Sequence, residues 1–355
     1  MTDEIGKAKK ALNNVIKKAR VHLYKPIQIA EILYRDRIHN DISINELESY
    51  RNPSKKWRDA ICNKFLGRVS TSSARYQDDV FNENATPPHI LNLLAQENRR
   101  TNGAIEAYIY QRVQNKFSQL SNALMYCNTH NQASFQLSEF LALFWNDAGL
   151  RRSIDKVYEI VVYALFSALL ESLELMVEVS INPEQHHILA EFADFTERVI
   201  KLTPERTSFK SRAKIYRVGV TNAADRGLDM WANFGLAIQI KHLSLDEGLA
   251  ENIVHSITAD RIVIVCKEAE QKIIVSLLTQ IGWKSRIQSI VTENDLITWY
   301  EKALRGQYHS LTAIHVLETL SHEIQVEFPV TENLEFQKFF VERGYRDLDI
   351  LAYFD

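Results

Sequence analysis

Asp229, Gln239 and Lys241 are spaced by ten residues and then two, within the stretch Asp-Met-Trp-Ala-Asn-Phe-Gly-Leu-Ala-Ile-Gln-Ile-Lys. A carboxylate, a neighbouring oxygen acceptor and an ammonium, brought together, form a site where a hard cation can assist phosphodiester hydrolysis. Ile238-Gln239-Ile240-Lys241 alternates apolar and polar residues, the period of a strand. Gln239 and Lys241 then share one face, while Ile238 and Ile240 take the other. Asn233 and Gly235 mark a turn just before that strand, so the segment carrying Asp229 is expected to fold back beside it as a hairpin. The same spacing also arises in an ordinary hairpin with a solvated polar face, so the surrounding elements have to decide between the two readings.

At 355 residues the chain can bury a sizeable core, and its length suits two domains or one large one. Hydrophobic content of 46% with 25% charged residues is ordinary for a globular protein. The longest apolar run, Ile160 to Leu170, is closed by Glu159 and Glu171 and is too short to span a bilayer, so no membrane association is expected. The first residues contain no apolar signal region. Cys62, Cys127 and Cys266 are odd in number and lack metal-ligand spacing, which points to a reducing cytosol rather than a disulfide or zinc framework. No Gly-x-x-x-x-Gly-Lys-(Ser/Thr) loop is present to drive an ATP-dependent motor, and no glycine-rich cofactor loop suggests a methyltransferase. His309, His315 and His322, and the pair His186-His187, lack the partners that a zinc site needs. Trp231 and Phe234 are expected in the core.

The net charge of −3 hides an uneven distribution. Residues 1–75 hold 16 Lys and Arg against 8 Asp and Glu, residues 201–217 hold 6 against 1, and residues 318–355 hold 3 against 9. Basic patches on a mildly acidic chain suit contact with a polyanion, although solvated helix faces give the same counts.

The elements that must position the hairpin can be read along the chain. The first 150 or so residues show helical apolar spacing, with breaks at Asn52-Pro53-Ser54 and Thr86-Pro87-Pro88 and a further helix over Phe135 to Trp145. A long helix is expected from Ser153 to Leu173, a strand from Leu175 to Ile181, and an amphipathic helix from Pro183 to about Leu202. A basic stretch with Pro204 leads to a strand over Ala213 to Val220, followed by the Asp229 hairpin and a helix over Asp246 to Ile257. A continuous apolar strand, Arg261 to Cys266, precedes a helix to about Ile281 and a strand near Arg286 to Val291. A buried apolar strand between helices indicates a mixed sheet covered on both faces. The fold class is therefore α/β (α+β), with a mainly helical region over 1–150, a mixed sheet flanked by helices over 151–305, and an acidic helical or strand extension over 306–355.

The order helix, strand, Asp-bearing strand, (Asp/Glu/Gln)-x-Lys strand, helix, strand resembles the PD-(D/E)xK nuclease fold. Three stretches resemble the HaeII family of type II restriction endonucleases more specifically. They are Asn222-Ala-Ala-Asp-Arg-Gly-Leu-Asp-Met-Trp-Ala-Asn-Phe-Gly235 with Gln239-Ile-Lys-His242, Ser54-Lys-Lys-Trp-Arg58, and Gly67-Arg-Val-Ser-Thr-Ser-Ser-Ala-Arg-Tyr-Gln-Asp-Asp79. The likeness covers most of the chain. It implies that Asp229 binds metal and that Lys241 is the catalytic lysine. Gln239 stands where Asp or Glu is usual, which removes a negative charge from the metal shell. Glu159, on the helix ahead of the sheet, could supply the second carboxylate; its plain alternative is an exposed or salt-bridged helix residue. Mg²⁺ would then sit on Asp229, Glu159 and the backbone carbonyl of Ile240, with Gln239 orienting water or ligating through its amide oxygen.

The resemblance further implies double-stranded DNA as substrate, cut at a palindromic purine-GCGC-pyrimidine site by a homodimer in a prokaryotic cytoplasm. Candidates for reading bases are Arg58, Arg68, Arg75, Arg212 and Arg217, with Lys55, Lys56, Lys210 and Lys214 on phosphates. Two alternatives stay open: a repair or recombination nuclease of the same fold, and a DNA-binding protein without catalysis.

Overall fold

The computed structural model describes residues 2–19, 23–146, 150, 153–218, 228–269, 286–328, 333–346, 348 and 350. The chain forms two compact units: Met1–Val157 with Ser321–Asp355, and Tyr158–Val218 with Ala224–Leu320. The described residues after 320 group with the N-terminal helices.

The first unit is helical. Both proline breaks open helices, Pro53–Leu66 and Pro88–Arg100, where the missing proline N–H is no loss. The apolar stretch before Asn146 forms the helix Leu137–Trp145. Helix Asn333–Glu342 packs against Ala104–Thr129. Phe336 stacks on Phe65 with ring centroids 4.3 Å apart, and Phe339 meets Tyr110 edge-on at 4.7 Å. Beneath these rings lie two buried carboxylates. Glu31 accepts from the Tyr110 hydroxyl at 2.5 Å and from Arg343 at 3.1 Å. Glu106 accepts from Arg37 through two bonds of 3.0 Å, from Tyr345 at 2.5 Å and from the Asn98 amide. Burial pushes the Glu31 carboxyl above its usual range, with Arg343 pulling it back. The Arg343 guanidinium also lies 3.4 Å from the Tyr34 ring centroid.

The second unit holds the sheets. Strands β1 (Met176–Ser180) and β2 (Ser208–Arg212) form an antiparallel pair. The main sheet runs in the order β3 (Ile215–Arg217), β4 (Met230–Ala232), β5 (Leu236–Leu245), β6 (Arg261–Ala269), β7 (Ile287–Thr292). The first three of these strands are antiparallel and the last three parallel. As its continuous apolar sequence requires, β6 is covered on both faces. Ile262, Ile264 and Cys266 pack with Ala250, Ile253 and Val254 of helix Glu247–Ser256. That helix starts where expected, Asp246 accepting from the Leu249 N–H at 2.8 Å. Helix Ile154–Ser172 is tied to helix Glu293–Arg305 by the Tyr300 hydroxyl, which donates to the Val161 carbonyl at 2.8 Å.

Three expectations change. The amphipathic helix after Pro183 is broken into a turn at Pro183–Gln185, a helix His186–Glu191, a kink at Phe192, and wider turns through Thr196–Ile200. The basic stretch is itself a strand, β2, because Ser-Phe-Lys-Ser-Arg alternates and Lys210 finds Glu178 across the ladder at 3.3 Å. Of the strand expected over Ala213 to Val220, the described residues form β3, and Gly219 and Val220 fall outside them. Helices fill the described residues after β7, and none among the described residues is long and apolar enough to cross a membrane. The helix expected to end near Ile281 falls outside the described residues, as does the stretch Asn222 to Gly227.

Candidate active site

The site is built on the hairpin β4–β5. Met230, Trp231 and Ala232 oppose Ile238, Ala237 and Leu236, across a turn made by Asn233, Phe234 and Gly235. Gly235 has φ of +82°, a left-handed conformation that a side chain would strain, and its N–H donates to the Ala232 carbonyl at 3.0 Å. Asn233 fastens the turn to the link between β2 and β3. Its side-chain oxygen accepts from the Lys214 N–H and its NH₂ donates to the Arg212 carbonyl, both at 2.9 Å.

This register, carried one pair further, sets Asp229 opposite Gln239 on one face. The Gln239 side-chain NH₂ donates to Asp229 Oδ2 at 2.5 Å, and the Ile240 N–H donates to the same oxygen at 2.7 Å. β4 has ended by this point, so Asp229 takes over a strand partner's role along the edge of β5. The N–H and C=O of one strand residue point to the same edge, so the Ile240 carbonyl faces the edge that Asp229 caps. Gln239 is 2% exposed, and its Oε1 has no hydrogen-bond partner among the described residues. A buried acceptor left unpaired costs about 1–3 kcal/mol. Rotating the amide would not remove the cost, because it would set oxygen against the Asp229 carboxylate. Lys241, half-buried, follows on the same face as Gln239, ahead of an irregularity in the β5–β6 ladder between Lys241 and Ser244.

The donor set on offer is a carboxylate, an amide oxygen and a backbone carbonyl. All are hard oxygen ligands, and the unpaired Gln239 Oε1 is an acceptor suited to a cation or to the proton of an ordered water, so these residues fit Mg²⁺. Among the described residues, no three His, Cys, Asp or Glu side chains gather to hold a metal. Glu159 is 5% exposed and sits 4.0 Å from Arg217, which realises its salt-bridged alternative. Arg217 opposes Met230, one step out of phase with Asp229, so the partner of Glu159 belongs to the other face of the sheet.

The basic candidates separate into two groups. Arg58 is interior at 1% exposure, its guanidinium bonded to Asp59, to Gln28 at 3.1 Å and to Gln77 at 2.9 Å. Arg58 therefore ties elements of the first unit together and is not a surface group. Arg68 donates to the Glu327 carbonyl, and Lys55 is paired with Asp78 at 2.7 Å. Lys56, Arg75, Lys210, Arg212 and Lys214 are exposed. Trp231 also departs from expectation: it is 44% exposed rather than in the core, and stacks on Tyr216 of β3 at 4.5 Å. The alternation Ile215-Tyr216-Arg217 carried the signal for an outward Tyr216, which the sequence reading passed over. Phe234 is half-buried.

Comparison with known proteins gives the site its context. The family model described as HaeII restriction endonuclease matches residues 8–345. The chain is 60% identical over 349 residues to the type II restriction enzyme HaeII of Haemophilus aegyptius, covering 98% of this chain and 99% of that one. It is also 60% identical over 346 residues to the type II restriction enzyme NgoBI of Neisseria gonorrhoeae, covering 97% and 98%. No solved structure matches the chain. Matched over nearly its whole length, the chain belongs to the HaeII restriction endonuclease family.

Proposed function

We propose that the Asp229 hairpin is the Mg²⁺-dependent centre of a PD-(D/E)xK-type nuclease, with Gln in the second acidic position. Family membership makes the chain a type II restriction enzyme, a site-specific deoxyribonuclease, which sets aside the repair nuclease and the non-catalytic binder. The observation that carries the finer reading is the buried, unpaired Gln239 Oε1 beside the Asp229 carboxylate. The sheet order supports it too, with an antiparallel Asp-bearing hairpin continuing into parallel β6 and β7.

Asp229, Gln239 Oε1 and the Ile240 carbonyl would hold the cation, and Glu159, buried on the helix ahead of the sheet, would have to turn from Arg217 on the other face to add a second carboxylate. A bound Mg²⁺ neutralises charge on the scissile phosphate and makes its attacking water more acidic. The Gln239 NH₂ and the Ile240 N–H fix the Asp229 carboxylate, so that it need not reorient during the reaction. Lys241, on the same face, places an ammonium where the phosphate oxygens gain charge. The substrate is double-stranded DNA carrying a palindromic purine-GCGC-pyrimidine site. Exposed Lys210, Arg212 and Lys214 are the nearest basic groups in sequence to the hairpin, with Lys56 and Arg75 on the first unit. A palindrome calls for a two-fold homodimer, and the bacterial sources of the relatives support a cytoplasmic setting.

The test is plasmid DNA carrying one such site, incubated with purified protein and Mg²⁺, with EDTA as control. A single discrete, EDTA-sensitive cut is expected. Cutting that survives chelation, or cutting unrelated to the site, would sink the proposal.

A further inference from the structure

From Ser208 to Tyr216 the chain keeps one alternation through β2, the Ala213-Lys214 link and β3. Lys210, Arg212, Lys214 and Tyr216 are exposed, while Ser211 is half-buried and Ala213 and Ile215 are buried. Tyr216 opposes Trp231, which in turn opposes Ala237, so both rings stand on the face that carries Asp229 and Gln239. The Val218 N–H donates to the Asp229 carbonyl at 2.9 Å, which puts Asp229 level with Val218, two residues beyond Tyr216. At roughly 3.3 Å per residue, the ring pair stands ~6.5 Å from the level of Asp229 and Lys214 ~13 Å from it, in one line. Lys241 lies two residues beyond Gln239, on the opposite side of Asp229 from the rings.

The order of groups along this line selects its occupant. The rings are 39% and 44% exposed and stack with centroids 4.5 Å apart, which makes an apolar step with Arg212 and Lys214 on one side and Lys241 on the other. A DNA strand offers the matching pattern, charged phosphates alternating with apolar sugar faces. Two carboxylates border the row. Glu178 is engaged by Lys210 at 3.3 Å. Exposed Glu174 would fall near Lys214 if the β1–β2 ladder ran on, yet among the described residues no ion pair joins them. Three cations against these two acids leave the row positive. Asn233 ties the Lys214 N–H and the Arg212 carbonyl to the turn of the Asp229 hairpin, so the row is fixed relative to the carboxylate. We propose that Arg212, Lys214, Tyr216 and Trp231 form the track for the DNA strand being cut. The ring pair packs on the deoxyribose next to the scissile phosphate, and Lys214 and Arg212 hold the phosphates that follow. The inference rests on the Asp229 reading above and adds which side chains place the DNA on that site. Sugar and phosphate contacts carry no base identity, so the track positions the DNA without reading its sequence.

Binding of a short duplex carrying the purine-GCGC-pyrimidine site, measured in Ca²⁺ without cutting, tests the track. Trp231→Ala should weaken binding about tenfold, for duplexes with and without the site alike. Trp231→Phe keeps a ring and should stay within about threefold of the parent, both variants having the parent's circular dichroism spectrum. Lys214→Gln should lower the slope of log affinity against log salt by about 0.9, the share of one phosphate. In acrylamide quenching, the emission that the parent has and Trp231→Phe lacks should be shielded by bound DNA. A Trp231→Ala protein that binds as tightly as the parent, a Trp231 that DNA leaves open to acrylamide, or an unchanged salt slope in Lys214→Gln would each overturn the proposal. The Asp229 centre is read by cutting in Mg²⁺ and the track by binding in Ca²⁺, so the two fail separately.

Discussion

Two regions of this molecule bury carboxylates, and they treat them in opposite ways. In the helical unit both oxygens of Glu31 and both of Glu106 are taken up by tyrosine, arginine and asparagine donors. In the sheet unit Oδ2 of Asp229 takes two donors, while the neighbouring Gln239 Oε1 is buried with no donor among the described residues. A network whose carboxylate oxygens are all taken up joins helices, which is a structural role, although Arg343 Nη1 in it also lacks a partner among the described residues. An open one pays for desolvation without return until a ligand arrives, which is how a site differs from a strut.

The largest effect expected from breaking this contrast is at the open end. Asp229→Ala removes the carboxylate that Gln239 donates to, so cleavage should fall by about 10³-fold or more, with DNA binding kept in Ca²⁺. Retained cutting in a plasmid assay would show that the chemistry lies elsewhere.

At the closed end, Arg343→Ala leaves Glu31 buried without its cation and should destabilise the protein by about 3–5 kcal/mol, with activity per folded molecule unchanged. The sign with pH follows from burial. Glu31 already binds its proton more tightly folded than unfolded, and without Arg343 only the Tyr110 hydroxyl is left to oppose burial. Such a group adds stability below its unfolded pKa and loses it as pH rises through the folded pKa. The deficit against the parent, measured by denaturant unfolding, should therefore be widest at neutral pH and narrow on acidification. A deficit that widens in acid would refute this account of Glu31.

Gln239→Leu sharpens the contrast by removing the unpaired oxygen while keeping bulk. The Mg²⁺ concentration for half-maximal cutting should rise about 10–100-fold, an effect typical of losing a supporting ligand group. Gln239→Glu should leave that concentration unchanged or lower it, and a titration in which both variants behave alike would deny the amide oxygen a role. The smallest effect on stability belongs to Trp231→Ala, which loses an exposed aromatic stack worth about 0.5–1.5 kcal/mol. Calorimetry should register it as a drop of a few degrees in Tm.

Much of the sheet was legible because its signals are local. Alternation at Ile238 to Lys241, the turn residues Asn233 and Gly235, and the Asp246 cap each act within a few positions, and each appears where expected. Features that depend on distant partners were not legible. Arg58 reads as a surface cation until Gln28 and Gln77 surround it. Trp231 reads as core, but it lies near the sheet edge, beside three-residue β3, where nothing but Tyr216 covers its ring among the contacts described. The break at Phe192 is invisible to periodicity, since the apolar stripe continues straight through it. The open Oε1 of Gln239 was equally hidden, because an unpaired atom is a property of three-dimensional packing.

The short turn at Asn233 to Gly235 has a consequence for how this enzyme can vary. Removing or inserting one residue there would slip the ladder by a single step and carry Gln239 and Lys241 through the sheet to its other side. Side-chain exchanges in the hairpin grade its output, whereas a change of loop length acts as a switch. Variants of this chain that keep their chemistry should therefore tolerate many substitutions between positions 229 and 241 and no change in the number of residues.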